Sequence, residues 1–437
     1  MSKPDIQVIT MGCSKNLVDS ERLMAMLSKK YSMCYDTDRV DTAPVVIINT
    51  CGFIGDAKEE SIDMILRCIQ AKQHGYIDKV YVMGCLSQRY HSDLLSEIPE
   101  VDGFFGVNDT GKILDIMGVV PSDSPVTERL ITTPKHYAYL KIAEGCNRDC
   151  AFCAIPDIRG KYTSESSDRL VCEAKALVSQ GVKEILVVAQ DLTRYGYDIN
   201  GKSGLAGLVE NLSLIDGLSW IKLHYTYPVG FPYDILPLMK DNPKVCRYLD
   251  IPFQHISDSV LKRMRRGIDK SKTMELIGKI RSEVPGIALR TTLMTGFPGE
   301  TEADFMELMD FVKEVRFDRL GVFAYSHEEN TWAADNYKDN IPEKVKSERA
   351  GAIMSLQEDI SLELNAANIG KEYMVITDRL EGGYWSARSE FDSPEVDQEI
   401  LINAASVPEV RSGDMFPVRI TVAGPFDMTG VPVKTII

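Results

Sequence analysis

The chain has 437 residues, 44% hydrophobic and 26% charged, enough for several domains with cores of their own and unlike a disordered or fibrous polymer. Its formal net charge of −15 disfavours long stretches of nucleic acid and favours cationic partners. Met1 to Thr10 shows no charged-then-apolar leader, and no apolar run reaches membrane-spanning length, so a cytoplasmic protein without a membrane partner is expected. Ten cysteines in such a chain point to metal or redox chemistry before disulfides.

Residues 4–120 alternate short apolar runs with amphipathic stretches. Strands are predicted over 6–10, 45–50 and 80–83. Helices are predicted over 17–29 and through a face carrying Ile62, Ile65, Leu66 and Ile69. This β-α-β-α-β order builds a doubly wound parallel sheet. Each strand leads into a cysteine beside a glycine: Cys13 after Gly12, Cys51 before Gly52, Cys85 after Gly84. Parallel strands bring the three thiols to the carboxyl edge of the sheet, where α/β ligands bind. A metal cluster shared by Cys13, Cys51 and Cys85 is one reading; three packed core cysteines are the other. Cys34, Cys68, Cys172 and Cys246 lack the pattern and are assigned to packing.

A second triad is local. Glu144-Gly145-Cys146-Asn147-Arg148-Asp149-Cys150-Ala151-Phe152-Cys153 spaces its cysteines C-x3-C-x2-C, with no fourth nearby. A 4Fe–4S cube normally takes four thiolates, so Cys146, Cys150 and Cys153 imply one iron open to another ligand. Zinc would need a fourth protein donor, for which His136 is the obvious candidate.

Strands are then predicted over 137–142, 185–189, 220–224, 248–251, 287–294 and 320–324. Helices over 168–180, 257–266, 270–284 and 302–315 separate them. Such βα units fit an incomplete (β/α) barrel, whose chemistry belongs at the carboxyl ends of the strands. Gln190-Asp191, His224-Tyr225, Gln254-His255, Gly296, Gly299 and Tyr325-Ser326 fall there. The basic run 262–266 reads as a solvated helix face or a basic patch. Residues 342–370 read as a helical linker, and 371–437 as a small antiparallel β-barrel.

The segments Gly12-Cys13-Ser14-Lys15-Asn16-Leu17-Val18-Asp19-Ser20, Asn49-Thr50-Cys51-Gly52-Phe53-Ile54 and Gly84-Cys85-Leu86, with the 146–153 loop, resemble the radical S-adenosylmethionine (SAM) methylthiotransferases. The resemblance runs along nearly the whole chain. It implies an N-terminal methylthiotransferase domain (4–120), a radical-SAM core (132–368) and a C-terminal TRAM domain (371–437). It also implies two 4Fe–4S clusters with SAM as co-substrate. The Cys146, Cys150 and Cys153 cluster would generate a deoxyadenosyl radical, and the Cys13, Cys51 and Cys85 cluster would carry the sulfur to be donated. One SAM would methylate that sulfur and a second would yield the radical. Phe152 would lie by the adenine, and Gln190, Arg290 and Thr292 would line the SAM pocket.

The Gly-Cys-x-Lys-Asn opening resembles the branch that acts on the β-carbon of an aspartate in ribosomal protein S-twelve of the small subunit. The tRNA-adenosine branch usually has Gln-Met-Asn after its first cysteine; it stands as the second reading, and an iron–sulfur electron carrier as the third. Ser14 stands where many relatives have proline, which is expected to alter loop stiffness and not ligation. A β-CH2 beside a carboxylate is too weak an acid for a side-chain base near neutral pH, so a cofactor-derived radical suits it. Six basic and eleven acidic residues in 371–437 suit docking of a basic ribosomal protein better than RNA. Asp392, Glu395, Asp397 and Glu399 are the expected docking surface. A reductant and a sulfur donor are further implied partners, and nucleic acid would be met only through the ribosome.

Overall fold

A computed structural model describes residues 4–35, 39–40, 42–120 and 129–433. In the N-terminal module Ile6–Thr10, Val45–Thr50 and Lys79–Gly84 pair in parallel, and two short strands, Met33–Cys34 and Gly103–Phe104, complete a five-stranded sheet. Helices cover both faces, which is why the strands read as continuous apolar runs. Leu23, Met24 and Leu27 of helix Ser14–Leu27 pack on one face; Met64, Ile65 and Ile69 of helix Gly55–Gln73 pack on the other. The first helix starts earlier than its apolar period suggests, because Cys13 already occupies the N-cap. Leu66, expected on the buried face, points outward and is 44% exposed.

The central module has six parallel strands, Tyr137–Lys141, Glu184–Val188, Trp220–Leu223, Val245–Asp250, Ala288–Thr295 and Arg319–Ala324, paired in chain order. The first and last do not pair with each other, so this is a partial barrel with an open seam. Along the fifth strand Leu289 and Leu293 enter the core beneath the helices, and the two-residue period turns Arg290, Thr292 and Met294 toward the interior.

Residues 342–370 are not a linker in space. Helix Glu343–Ala366 lies along the last strand and buries Ile353 and Ile360 in the central core. It covers an edge that would otherwise present unpaired backbone.

In the C-terminal barrel Glu372–Glu381, Tyr384–Ser389, Glu399–Asn403, Met415–Ala423 and Asp427–Pro432 close on themselves. It is not wholly antiparallel, since Glu399–Asn403 and Asp427–Pro432 run parallel. That last strand escapes sequence reading because Gly430 and Pro432 signal a turn.

Both outer modules straddle the seam. At the carboxyl edge Leu17 and Val18 pack against Tyr137, Tyr139, Leu186 and Val188. On the far side Lys58 and Arg89 reach Glu328, beyond the last strand, at 2.8 and 2.9 Å. At the amino edge the 389–398 segment of the C-terminal barrel enters the interior. Glu395 accepts from Tyr137 on the first strand at 3.0 Å, Asp397 accepts from Tyr248 at 2.7 Å, and Asp392 pairs with Arg319 on the last. Among the described residues no helix is long and apolar enough to cross a membrane.

Candidate active site

The first triad is assembled from three strand ends. Gly12 has φ +85°, and a Cβ on it would lie 2.6 Å from Cys51 Cβ and 2.9 Å from its Sγ, so only glycine lets these two turns meet. Asn16 Nδ2 donates to the carbonyls of Met11 and Thr50, both at 3.0 Å. Asn49 donates to the Asn16 carbonyl at 2.9 Å, and Thr50 Oγ1 to that of Met83 at 2.7 Å. These bonds tie the three turns into one rim. Cys85 is buried, Cys51 half-buried and Cys13 solvent-reachable. Burial pushes the Cys85 thiol up to about 12 and also raises Cys51. Burial acts the same way on Cys13, but Lys15, Arg159 and the backbone N–H groups of Asn16 and Lys15 pull it below its ordinary value. Thiols crowded in this way need a cation to become thiolates together, which an iron cluster provides.

The second triad sits in the 146–153 loop at the carboxyl edge of the partial barrel. The loop is pinned by Cys146 N–H on the Gly160 carbonyl (3.1 Å) and Ala151 N–H on that of Met264 (2.9 Å). Donors already face its sulfurs. The Arg148 N–H lies 3.4 Å from Cys146 Sγ and Arg266 Nη1 lies 3.3 Å from Cys150 Sγ, while the Tyr227 hydroxyl, 3.5 Å from Cys150 Sγ, donates to the Arg266 carbonyl at 2.9 Å. Burial pushes Cys146 up to about 11 and Cys153 far above its ordinary value. His136, the candidate fourth zinc ligand, is instead 2.7 Å from Asp378 of the C-terminal barrel. Among the described residues no three His, Cys, Asp or Glu side chains converge closely enough for a single ion. Three soft thiols with no fourth protein donor are the ligand chemistry of an iron–sulfur cube with one iron left open. The basic run 262–266 is no solvated face: Arg263 donates to the Pro298 carbonyl (2.7 Å), Arg265 pairs with Asp149 (2.6 Å) and Arg266 reaches Cys150.

The two triads share a wall. Helix Ile155–Arg159, which follows Cys153, packs against helix Cys85–Arg89, and Cys85, Val107, Ala154 and Ile158 form one apolar cluster. At its end the buried Arg159 guanidinium donates to Asn16 Oδ1, to Asp19 (3.2 Å) and to both Glu144 oxygens (2.9 and 3.0 Å). Lys141 completes the group by binding Asp19 and Glu144. Burial would raise the Glu144 carboxyl, but Lys141 and Arg159 hold it down at about 2. Sequence reasoning missed Arg159 and Lys141, since nothing in their local pattern announces Asn16 and Asp19 more than a hundred residues away, and with them the role of Glu144 between the two.

The residues expected around SAM divide. Gln190 Nε2 donates to Glu144 at 2.9 Å, and its buried Oε1 has no partner, an acceptor left open beside the loop. Phe152 stands edge-on to Phe297, ring centroids 6.4 Å apart. Thr292 is half-buried on the interior face. Arg290 departs from expectation: it is bound to Asp250 and Asp397, both at 3.3 Å, against the C-terminal barrel.

The acidic patch also departs from expectation. Asp392 is fully buried on Arg319 and Ser389, Asp397 is held by Arg290 and Tyr248, Glu395 by Tyr137, and Glu399 by Arg379 at 2.6 Å. Asp392, Glu395 and Asp397 join the C-terminal barrel to the partial barrel, whereas Glu399 pairs at the surface within the C-terminal barrel itself. Linear charge density does not reveal which way a carboxylate points.

Comparison with known proteins places this geometry. Residues 140–312 match the Radical SAM superfamily, residues 5–106 the Uncharacterized protein family UPF0004, and residues 369–433 the TRAM domain. A protein of Cytophaga hutchinsonii named ribosomal protein uS12 methylthiotransferase RimO is 52% identical over 99% of this chain and 98% of its own length. One of the same name from Bacteroides thetaiotaomicron is 52% identical over 98% of both chains. Among solved structures, the radical S-adenosylmethionine methyltransferase TsrM of Kitasatospora setae superposes with a TM-score of 0.55 at 13% identity, covering 88% of this chain and 81% of its own. That likeness concerns the fold alone.

Proposed function

The chain belongs to the RimO family of radical-SAM methylthiotransferases, and from that premise we propose that it adds a methylthio group to the β-carbon of an aspartate in ribosomal protein uS12. Cys146, Cys150 and Cys153 hold one 4Fe–4S cluster with an iron open to SAM; Cys13, Cys51 and Cys85 hold the other. Bound there, the clusters supply the electron that cleaves SAM and the site that carries the sulfur. The chain's own part is positional. Arg266 and the Arg148 N–H direct hydrogen bonds at the loop sulfurs, lowering the burden of negative charge on them. Gln190 and Phe152 flank the space beside the loop where SAM would lie. Arg159 and Glu144 tie the loop to the strand-end rim, so that the two clusters would be held side by side. The reaction takes place in the cytoplasm, with a reductant and a sulfur donor as partners.

The observation that carries this reading is the packing of the helix after Cys153 on the helix that begins at Cys85, which sets both triads on one wall. The test is iron content and product after anaerobic reconstitution of two triple variants. Cys13/Cys51/Cys85→Ala and Cys146/Cys150/Cys153→Ala should each keep about half the wild-type iron, since each loses one of two equal cubes. The first should still cleave SAM under strong reductant but leave uS12 unmodified; the second should do neither. Full iron in either variant, or SAM cleavage surviving only in the second, contradicts the assignment.

A further inference from the structure

Lys15 is a cation at the carboxyl edge with no carboxylate partner among the described residues. It is only 8% exposed. Its ammonium lies 3.3 Å from the centroid of the Tyr225 ring, at the end of the third central strand. Among the described residues it has no hydrogen-bond acceptor and no ion-pair partner. The other cations around the triads are committed: Lys141 and Arg159 to Asp19 and Glu144, Arg148 to Asp191, and Arg266 to Cys150 and the Pro252 carbonyl. A lysine whose side chain is largely buried is normally given an anionic partner. Here the ammonium faces an aromatic ring, and its charge also acts on the Cys13 thiol.

The placement of that face is deliberate. Tyr225 holds φ +66° although it is not glycine. Its carbonyl accepts from Leu192 N–H at 3.1 Å, and its own N–H donates to Asp250. Lys15 leaves the first turn of its helix toward Tyr225, whereas Cys13 and Asn16 from the same turn face the rim. It thus reaches from the sulfur-bearing module over the mouth of the partial barrel.

We propose that Lys15 binds the carboxylate of the substrate aspartate and is a specificity-determining residue of this enzyme. The proposal rests on the methylthiotransferase reading above. The carboxylate is one bond from the β-carbon that reacts, so an anchor for it fixes that carbon near both triads. It also selects an acidic side chain over its amide, because a buried ammonium forms a charge-assisted bond to the acid alone.

The experiment compares reconstituted wild type, Lys15→Met and Lys15→Arg with two synthetic uS12 segments, one carrying the target aspartate and one asparagine in its place. Binding is read by fluorescence anisotropy, and KM and kcat by mass spectrometry of the product. Wild type should prefer the aspartate segment by about ten- to a hundredfold, as expected for one hydrogen bond to a charged group. Lys15→Met should bind both segments alike, near the wild-type affinity for asparagine, and Lys15→Arg should recover part of the preference. A Lys15→Met enzyme that still prefers aspartate overturns the proposal. So does one that has lost the iron of the first triad, for Lys15 would then serve that cluster. If wild type leaves the aspartate of uS12 unmodified, the methylthiotransferase reading itself fails, an outcome distinct from both.

Discussion

The partial barrel meets its two neighbours in opposite ways. At the amino edge buried charges form a connected ion cluster. Glu184 lies 2.8 Å from both Lys222 and Arg388, Arg388 continues to Asp378 at 2.7 Å, and Asp378 to His136 at 2.7 Å. At the carboxyl edge the pairing is incomplete: Lys15 has no carboxylate partner among the described residues, Gln190 Oε1 is buried without a hydrogen bond, and Tyr225 and Gln254 hold left-handed backbone at φ +66° and +72°. Buried polar groups are normally satisfied, and strained or unpaired ones gather where a ligand completes them. The closed edge is architecture, and the open edge is where chemistry happens.

Breaking the closed edge should give the largest loss of stability. Arg388→Met leaves Glu184 and Asp378 buried with one cation fewer, which should remove about 3–5 kcal/mol in urea unfolding followed by tryptophan fluorescence. Both triads lie at the other edge, so folded protein should keep its iron. Arg388→Met as stable as wild type would mean that the ion cluster does not hold the modules together.

Acid should act on the same edge with somewhat smaller effect. Burial would raise the Glu184 carboxyl, but Arg388 and Lys222 hold it at about 2, below its ordinary 4.5. Asp378 is likewise held at about 2 by Arg388 and His136 against its burial. A carboxylate depressed in the folded state stabilises fully above its unfolded value and loses that contribution as pH falls through the folded one. Stability should therefore decline between about pH 4.5 and 2 by on the order of 3 kcal/mol for Glu184. Glu184→Gln should flatten that slope in melts taken across the range; an unchanged slope would place the acid sensitivity elsewhere.

The smallest effect sharpens the reassignment of the acidic patch. Glu399 pairs with Arg379, whose side chain is 55% exposed. Glu399→Gln should shift stability by less than about 1 kcal/mol, while Asp392→Asn, inside the fully buried pair with Arg319, should cost several times more. Equal effects would undo the distinction between a surface acid and an interface acid.

What sequence reading could and could not reach follows from distance along the chain. The C-x3-C-x2-C loop is local, and the repeated strand–cysteine–glycine pattern states its own geometry once parallel strands are inferred. The pairing of Arg159 with Asn16, 143 residues apart, and of Arg388 with Glu184, 204 residues apart, has no local signature. Asp392, Glu395 and Asp397 escaped for the same reason: their residue types were legible, but the partners that fix their direction belong to another module.

The 389–398 segment has a consequence for traffic. It stoppers the barrel at one end, so nothing passes through from floor to ceiling. Whatever visits the interior then arrives and departs at the carboxyl edge, where Tyr225 lies. Spent fragments of one cleavage then compete for the exit with the next arrival, and a turnover that consumes SAM twice becomes a queue. Under this geometry the sequence of departures, as much as any chemical step, sets how fast the enzyme can cycle.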